Sequence, residues 1–163
     1  MHWSPAIADS ENKLQLAETL VQILTPHVLA YLPPSLQVEQ TTTAVLNWIN
    51  DRAQESDVYL INNTHSKTLI GLLILVDDPT SEANLNIHIG YLLSQAAWRK
   101  GYASELIKGL LKEAGRHAPI TLIGGVAKGN AASAHVLRKQ GFLLDQNQSD
   151  KDIDVFTATI ATD

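Results

Sequence analysis

Trp98-Arg99-Lys100-Gly101-Tyr102-Ala103-Ser104-Glu105 joins the end of an apolar segment to a helix predicted over Tyr102 to Arg116. Ala103, Leu106, Ile107, Leu110, Leu111 and Ala114 form one stripe on that helix. Such a junction exposes backbone N–H groups with no intrahelical partner, at the positive end of the helix dipole. Gly101 and the small Ala103 let an anionic group approach the backbone closely. A phosphate or pyrophosphate fits there on physical grounds, and a plain surface turn with a glycine is the other reading of these residues.

Upstream of the junction, Leu85 to Leu93 reads as a strand, with Leu85, Ile87 and Ile89 alternating against Asn86 and His88, and with Gly90 pointing to a bulge or a close backbone approach. Before it, Val58 to Ile61 is a strand, Asn62 to Ser66 a turn, and Leu69 to Val76 an apolar run expected of a strand covered on both faces. Downstream, Ile120 to Val126 is a strand, and Asn130 to Gln140 a helix closed by Gly141. Phe142 to Leu144 and Ile153 to Ile160 are the last strands. Toward the N-terminus, helical spacing predicts Glu11 to Thr25, with Pro26 at or past its end, and Thr42 to Gln54, with Val45, Leu46, Trp48 and Ile49 inward. Pro33-Pro34 calls for an extended connection. Trp3 to Ile7 reads as a short strand or a tail. Interleaved helices and strands around one mixed sheet give an α/β (α+β) fold, expected as a single domain over 1–163.

Composition narrows the function. With 163 residues, 45% of them hydrophobic and 18% charged, the chain can bury a core. Twelve Lys and Arg against 17 Asp and Glu leave a net charge of −5, which speaks against a general nucleic-acid binder. There is no cysteine, so disulfides, thiolate metal sites and a cysteine nucleophile are excluded, and a cytoplasmic location is expected. The longest apolar run falls well short of the roughly 20 residues that cross a bilayer, and the N-terminus lacks the pattern of a secretory signal. Gly124 and Gly129 have Walker spacing, but Asn130-Ala131 follows where Lys-Ser/Thr is needed. His2, His27, His65, His117 and His135 show no metal-ligand spacing, so no metal is expected.

Three elements occur in register: Gly90-Tyr91-Leu92-Leu93, then the Trp98 to Glu105 junction, then Asn130-Ala131-Ala132-Ser133 leading to Lys139-Gln140-Gly141-Phe142. Together, over Leu85 to Phe142, they resemble the GNAT superfamily of N-acetyltransferases, most of all the branch holding the ribosomal-protein N-terminal acetyltransferases. The resemblance implies a mostly antiparallel mixed sheet flanked by helices, with a splayed pair of central strands, and an acetyl-CoA site. Trp98, Arg99, Lys100, Gly101, Tyr102, Ala103 and Ser104 fall on the family's pyrophosphate loop, Leu93 on the strand that pairs with the pantetheine arm, and Asn130 on a pantetheine contact. Asn130 is equally a good helix N-cap.

The implied reaction is acetyl transfer to a primary amine in a ternary complex. An amine of pKa about 8 to 10.4 must lose a proton before it attacks. His88 stands where many relatives carry a glutamate, and a histidine can take that proton; an ordinary half-exposed strand residue is the competing reading. Asn86 shares its face and could hold water or substrate. Leu137 occupies the position of the family's tyrosine acid, which leaves Ser133 or solvent to serve the departing thiolate. Where relatives open with an arginine-containing strand, this sequence has only His2 to Ile7, so that strand is expected to be short or missing. For the acceptor, a small molecule or a peptide, the resemblance offers Tyr31, Trp48 and the Asp145 to Asp154 loop, where Asp150, Asp152 and Asp154 either attract a cation or serve only solubility. Oligomeric state is open. The alternative function is a GNAT-like module that holds acyl-CoA without turnover.

Overall fold

The computed structural model describes residues 1–79 and 85–162. Its strands β1 (Asp57–Asn62), β2 (Leu69–Asp78), β3 (Leu85–Leu93), β4 (Ile120–Ala127), β5 (Leu143–Asp145) and β6 (Ile153–Ile160) form a sheet in the order β1-β2-β3-β4-β6-β5. The chain divides into two compact units, one of Met1–Ile74 with Tyr91–Trp98 and the other of Leu75–Gly90 with Arg99 to the C-terminus.

In the first unit, α2 (Ser10–Ile23) packs on α4 (Thr42–Glu55). The Asp9 carboxylate caps α2 by accepting from the N–H groups of Glu11 and Asn12, and the Thr41 hydroxyl caps α4 by accepting from Ala44. The stripe Leu16, Ala17, Leu20, Ile23 meets Val45, Trp48 and Ile49, and Val58, Leu60 and Leu72 complete the core. Thr25 and Pro26 do more than stop α2. The Thr25 hydroxyl accepts from Val28 N–H, and Pro26, whose missing N–H costs nothing in a first turn, opens the four-residue helix α3 (Pro26–Leu29). Pro33 is extended as expected, but Pro34 starts a 3₁₀ turn over Pro34–Leu36.

The opening segment corrects the expectation of a strand or tail. Residues 1–3 lie beside β1, with Trp3 N–H donating to the Val58 carbonyl at 2.9 Å and Leu60 N–H to the Met1 carbonyl at 2.7 Å, and the chain then turns into the short helix α1 (Ser4–Ile7). His2 forms a single bridge to Tyr59. Trp3 is only 1% exposed, its ring edge-on to Trp48 at 6.4 Å.

In the second unit, β3 and β4 run parallel, as strands joined through a crossover helix must, and that helix is α5 (Tyr102–Ala114). Their ladder runs from Leu85↔Ile120 to His88↔Ile123, while β3 continues to Leu93 and β4 to Ala127. Pairing between these two strands thus ends at His88↔Ile123. β4 is antiparallel to β6 from Ile120↔Ile160 to Ala127↔Ile153, and β5 closes the edge from Leu143↔Thr157 to Asp145↔Val155. Helix α6 (Ala131–Lys139) lies on β4. Gly124 makes that contact possible, because a Cβ there would sit 3.0 Å from Leu137 and 3.6 Å from Ile89. Phe156 is fully buried under the Arg138 guanidinium, 4.9 Å from the ring centre.

Candidate active site

The turn into α5 is built by backbone conformations that side chains rarely adopt. Arg99 has φ +59° and Gly101 has φ +83°. Gly101 occupies the N-cap position, where it has no side chain to offer, and the first helical bond runs from Glu105 N–H to the Gly101 carbonyl at 3.0 Å. A Cβ at position 101 would meet nothing within 4 Å, so conformation rather than crowding calls for glycine. Arg99, Lys100 and Gly101 are exposed. Two cations at the positive end of a helix dipole would ordinarily be unfavourable, since acidic residues suit that position. The arrangement concentrates positive potential beside open backbone, which suits an anion.

Leu93 and Trp98 belong to the first unit. The Trp98 indole N–H donates to the Leu93 carbonyl at 2.8 Å, with Trp98 42% exposed as a residue and Leu93 buried. Asn130 realises the capping role weighed for it: its side-chain oxygen accepts from Ser133 N–H at 3.1 Å at the start of α6. Asn130 and Ser133 are thus brought together on one turn. Leu137, one turn further, is 1% exposed and packed at Gly124, a core position.

His88 and Asn86 lie on one face of β3, opposite Ile123 and Thr121 of β4. The His88 side chain is half exposed, and its Nε2 lies 3.7 Å from Oδ2 of Asp78, a carboxylate at the end of β2 that is itself largely shielded. Asp78 is not among the residues the sequence singles out for the site. Its signal was there in the form of an acidic residue at the end of the strand preceding His88, but no spacing rule pairs two residues across strands.

Among the acceptor-side candidates, Tyr31 is open, 49% exposed. Trp48 must be corrected. It is 5% exposed and packed against Trp3, so its ring serves the core and offers almost no surface to a substrate. The acidic loop is largely engaged with itself. The Gln148 side-chain amide donates to Asp145, and the N–H groups of Asp152 and Ile153 donate to Asp150, holding both carboxyls below the ordinary aspartate range. Asp154 lies 3.8 Å from the Lys128 ammonium. These contacts close the loop between β5 and β6 as hydrogen-bonded turns. Among the described residues no cluster of three or more His, Asp or Glu has a metal-holding arrangement, and no helix is long and apolar enough to cross a membrane.

The family model of the acetyltransferase (GNAT) domain matches residues 12–143. The chain belongs to the GNAT acetyltransferase family. A search of curated proteins returns no match. Among solved structures, the GNAT domain resembles RimL, the ribosomal L7/L12 α-N-protein acetyltransferase in complex with coenzyme A, with a TM-score of 0.75 at 18% identity over 95% of this chain and 93% of that one. It resembles spermidine N-acetyltransferase from Vibrio cholerae in complex with CoA and spermine, with a TM-score of 0.68 at 15% identity over 93% and 92%. It also resembles a GNAT-family acetyltransferase from Bacillus anthracis, with a TM-score of 0.71 at 17% identity over 90% of each chain. At these identities the likeness is one of fold.

Proposed function

We propose that this GNAT protein transfers an acetyl group from acetyl-CoA to a primary amine by direct attack in a ternary complex, and that the whole chain, 1–163, acts as one cytoplasmic acetyltransferase domain. The observation that carries the reading is the exposed Arg99-Lys100-Gly101 turn, held in left-handed backbone conformations at the start of α5, in a chain whose residues 12–143 match the family. In this reading Arg99 to Ser104 take the cofactor's pyrophosphate through backbone N–H groups and the helix dipole, assisted by the two cations. The Leu93 backbone faces the pantetheine arm, and Asn130, while capping α6, keeps its amide N–H₂ for the same arm.

The chemistry follows from proton and charge accounting. His88, oriented by the Asp78 carboxylate, accepts the proton that the ammonium must lose. The nitrogen lone pair attacks the thioester carbonyl carbon, and negative charge gathers on the carbonyl oxygen. A backbone N–H near Leu93 stabilises that charge, an effect typically worth about 10²–10³ in rate. The C–S bond then breaks and the thiolate, hydrogen-bonded by the Ser133 hydroxyl, takes its proton from solvent; a thiol of pKa about 8.5 leaves readily enough that no tyrosine is required. Asn86 and Tyr31 are assigned to the acceptor amine.

Buried Leu137 favours one other reading, a domain that binds acyl-CoA and does not turn it over. Release of free thiol from acetyl-CoA, measured across a panel of polyamines, amino acids, aminoglycosides and peptides with free N-termini, separates the two. Amine-dependent thiol release with at least one acceptor is the expected result. Tight CoA binding with no amine consumed throughout the panel would establish the binding module instead.

A further inference from the structure

We propose that Trp98 is a positioning residue: its indole N–H holds the Leu93 carbonyl in the direction from which that strand end receives the cofactor's amide arm. This rests on the acetyl-CoA reading above and assigns to Trp98 a task distinct from gripping phosphate. The bond is short, 2.8 Å, and spans five residues, closing the end of β3 onto the turn that leads to Arg99. Burial does not account for the tryptophan. Trp98 is 42% exposed as a residue, whereas Trp3 and Trp48 are 1% and 5% exposed. An indole has one polar commitment to make, as a donor, and here it is made to Leu93.

The same strand end is held from the β2 side. Ser94 N–H donates to the Ile70 carbonyl at 2.8 Å. Gly71 lets the Leu92 carbonyl come so close that a Cβ at position 71 would sit 2.2 Å from that oxygen and 3.1 Å from the Leu93 Cα. The turn between is closed by Ala97 N–H to the Ser94 carbonyl and Trp98 N–H to the Gln95 carbonyl, at 2.9 and 3.1 Å. With Gly71 and Ile70 setting the position of the strand end, the indole sets the rotation of its last peptide. A carbonyl has two lone pairs. One accepts from Trp98, and we assign the other to an amide N–H of the pantetheine arm.

Trp98→Phe keeps an exposed ring and removes the donor, so the fold should survive it. Calorimetry with CoA and with adenosine 3′,5′-bisphosphate, which has the nucleotide but no amide arm, tests the assignment. W98F should weaken CoA binding about 3- to 10-fold, the range of one neutral hydrogen bond, while adenosine 3′,5′-bisphosphate binds W98F and the unsubstituted protein equally. Trp98→His, which can still donate a ring N–H, should recover part of the CoA affinity. Equal CoA affinity of W98F and the unsubstituted protein, or a matching loss for both ligands, would overturn the proposal and leave the acetyl-CoA reading standing. Absence of CoA affinity in the unsubstituted protein would overturn both.

Discussion

Replacing His88 with glutamine is expected to lower kcat for amine acetylation by about 10²–10⁴, the usual contribution of a positioned general base, with affinity for CoA unchanged. The amine presents itself as an ammonium at neutral pH, and only the small neutral fraction can attack. His88 is half exposed, so its ring can reach a bound substrate, and Asp78 at 3.7 Å from Nε2 favours one orientation of the ring. Glutamine approximates the size and polarity of the imidazole and cannot carry the proton. Steady-state kinetics beside CoA calorimetry makes the distinction. A kcat within twofold of the unsubstituted enzyme would remove His88 as the base and hand proton removal to a water chain.

Trp3→Ala is expected to cost roughly 3–5 kcal/mol of stability, the range for emptying a large aromatic from a packed interior. The ring is fully buried and makes an edge-to-face pair with Trp48, whose own burial depends on it. For a chain of this size the loss corresponds to a fall of roughly 6–20 °C in the melting midpoint. Denaturation followed by circular dichroism reads it directly. A midpoint lowered by less than 2 °C would mean that residues 1–3 do not anchor the first unit.

The two predictions differ in how far the linear chain foreshadowed them. Helices α2, α4, α5 and α6 were legible because apolar residues recur on one face over nine or more residues, and β3 was legible to the residue from its alternation. Helix α1 and helix α3 are four residues each, too short for any period to show, and what holds Trp3 is a pair of backbone bonds to a strand more than fifty residues away. Trp48 fell on the inward stripe of α4, and the helical period itself argued for core over substrate. The turn at Gly101 could be read because its signal is local: a glycine, two cations and a helix start lie side by side. The partners Asp78 for His88 and Gly71 for Leu92 lie on a neighbouring strand, and pairing across strands leaves no trace in spacing along one strand.

Titration of the purified protein with coenzyme A in a calorimeter tests the central claim most directly, because every assignment depends on a diphosphate seated at Arg99 to Ser104. Saturable heat with one CoA per chain, abolished or weakened at least tenfold by reversing both charges in Arg99→Glu/Lys100→Glu, is the expected result. A folded protein that gives no saturable heat with CoA at millimolar concentration would contradict the account.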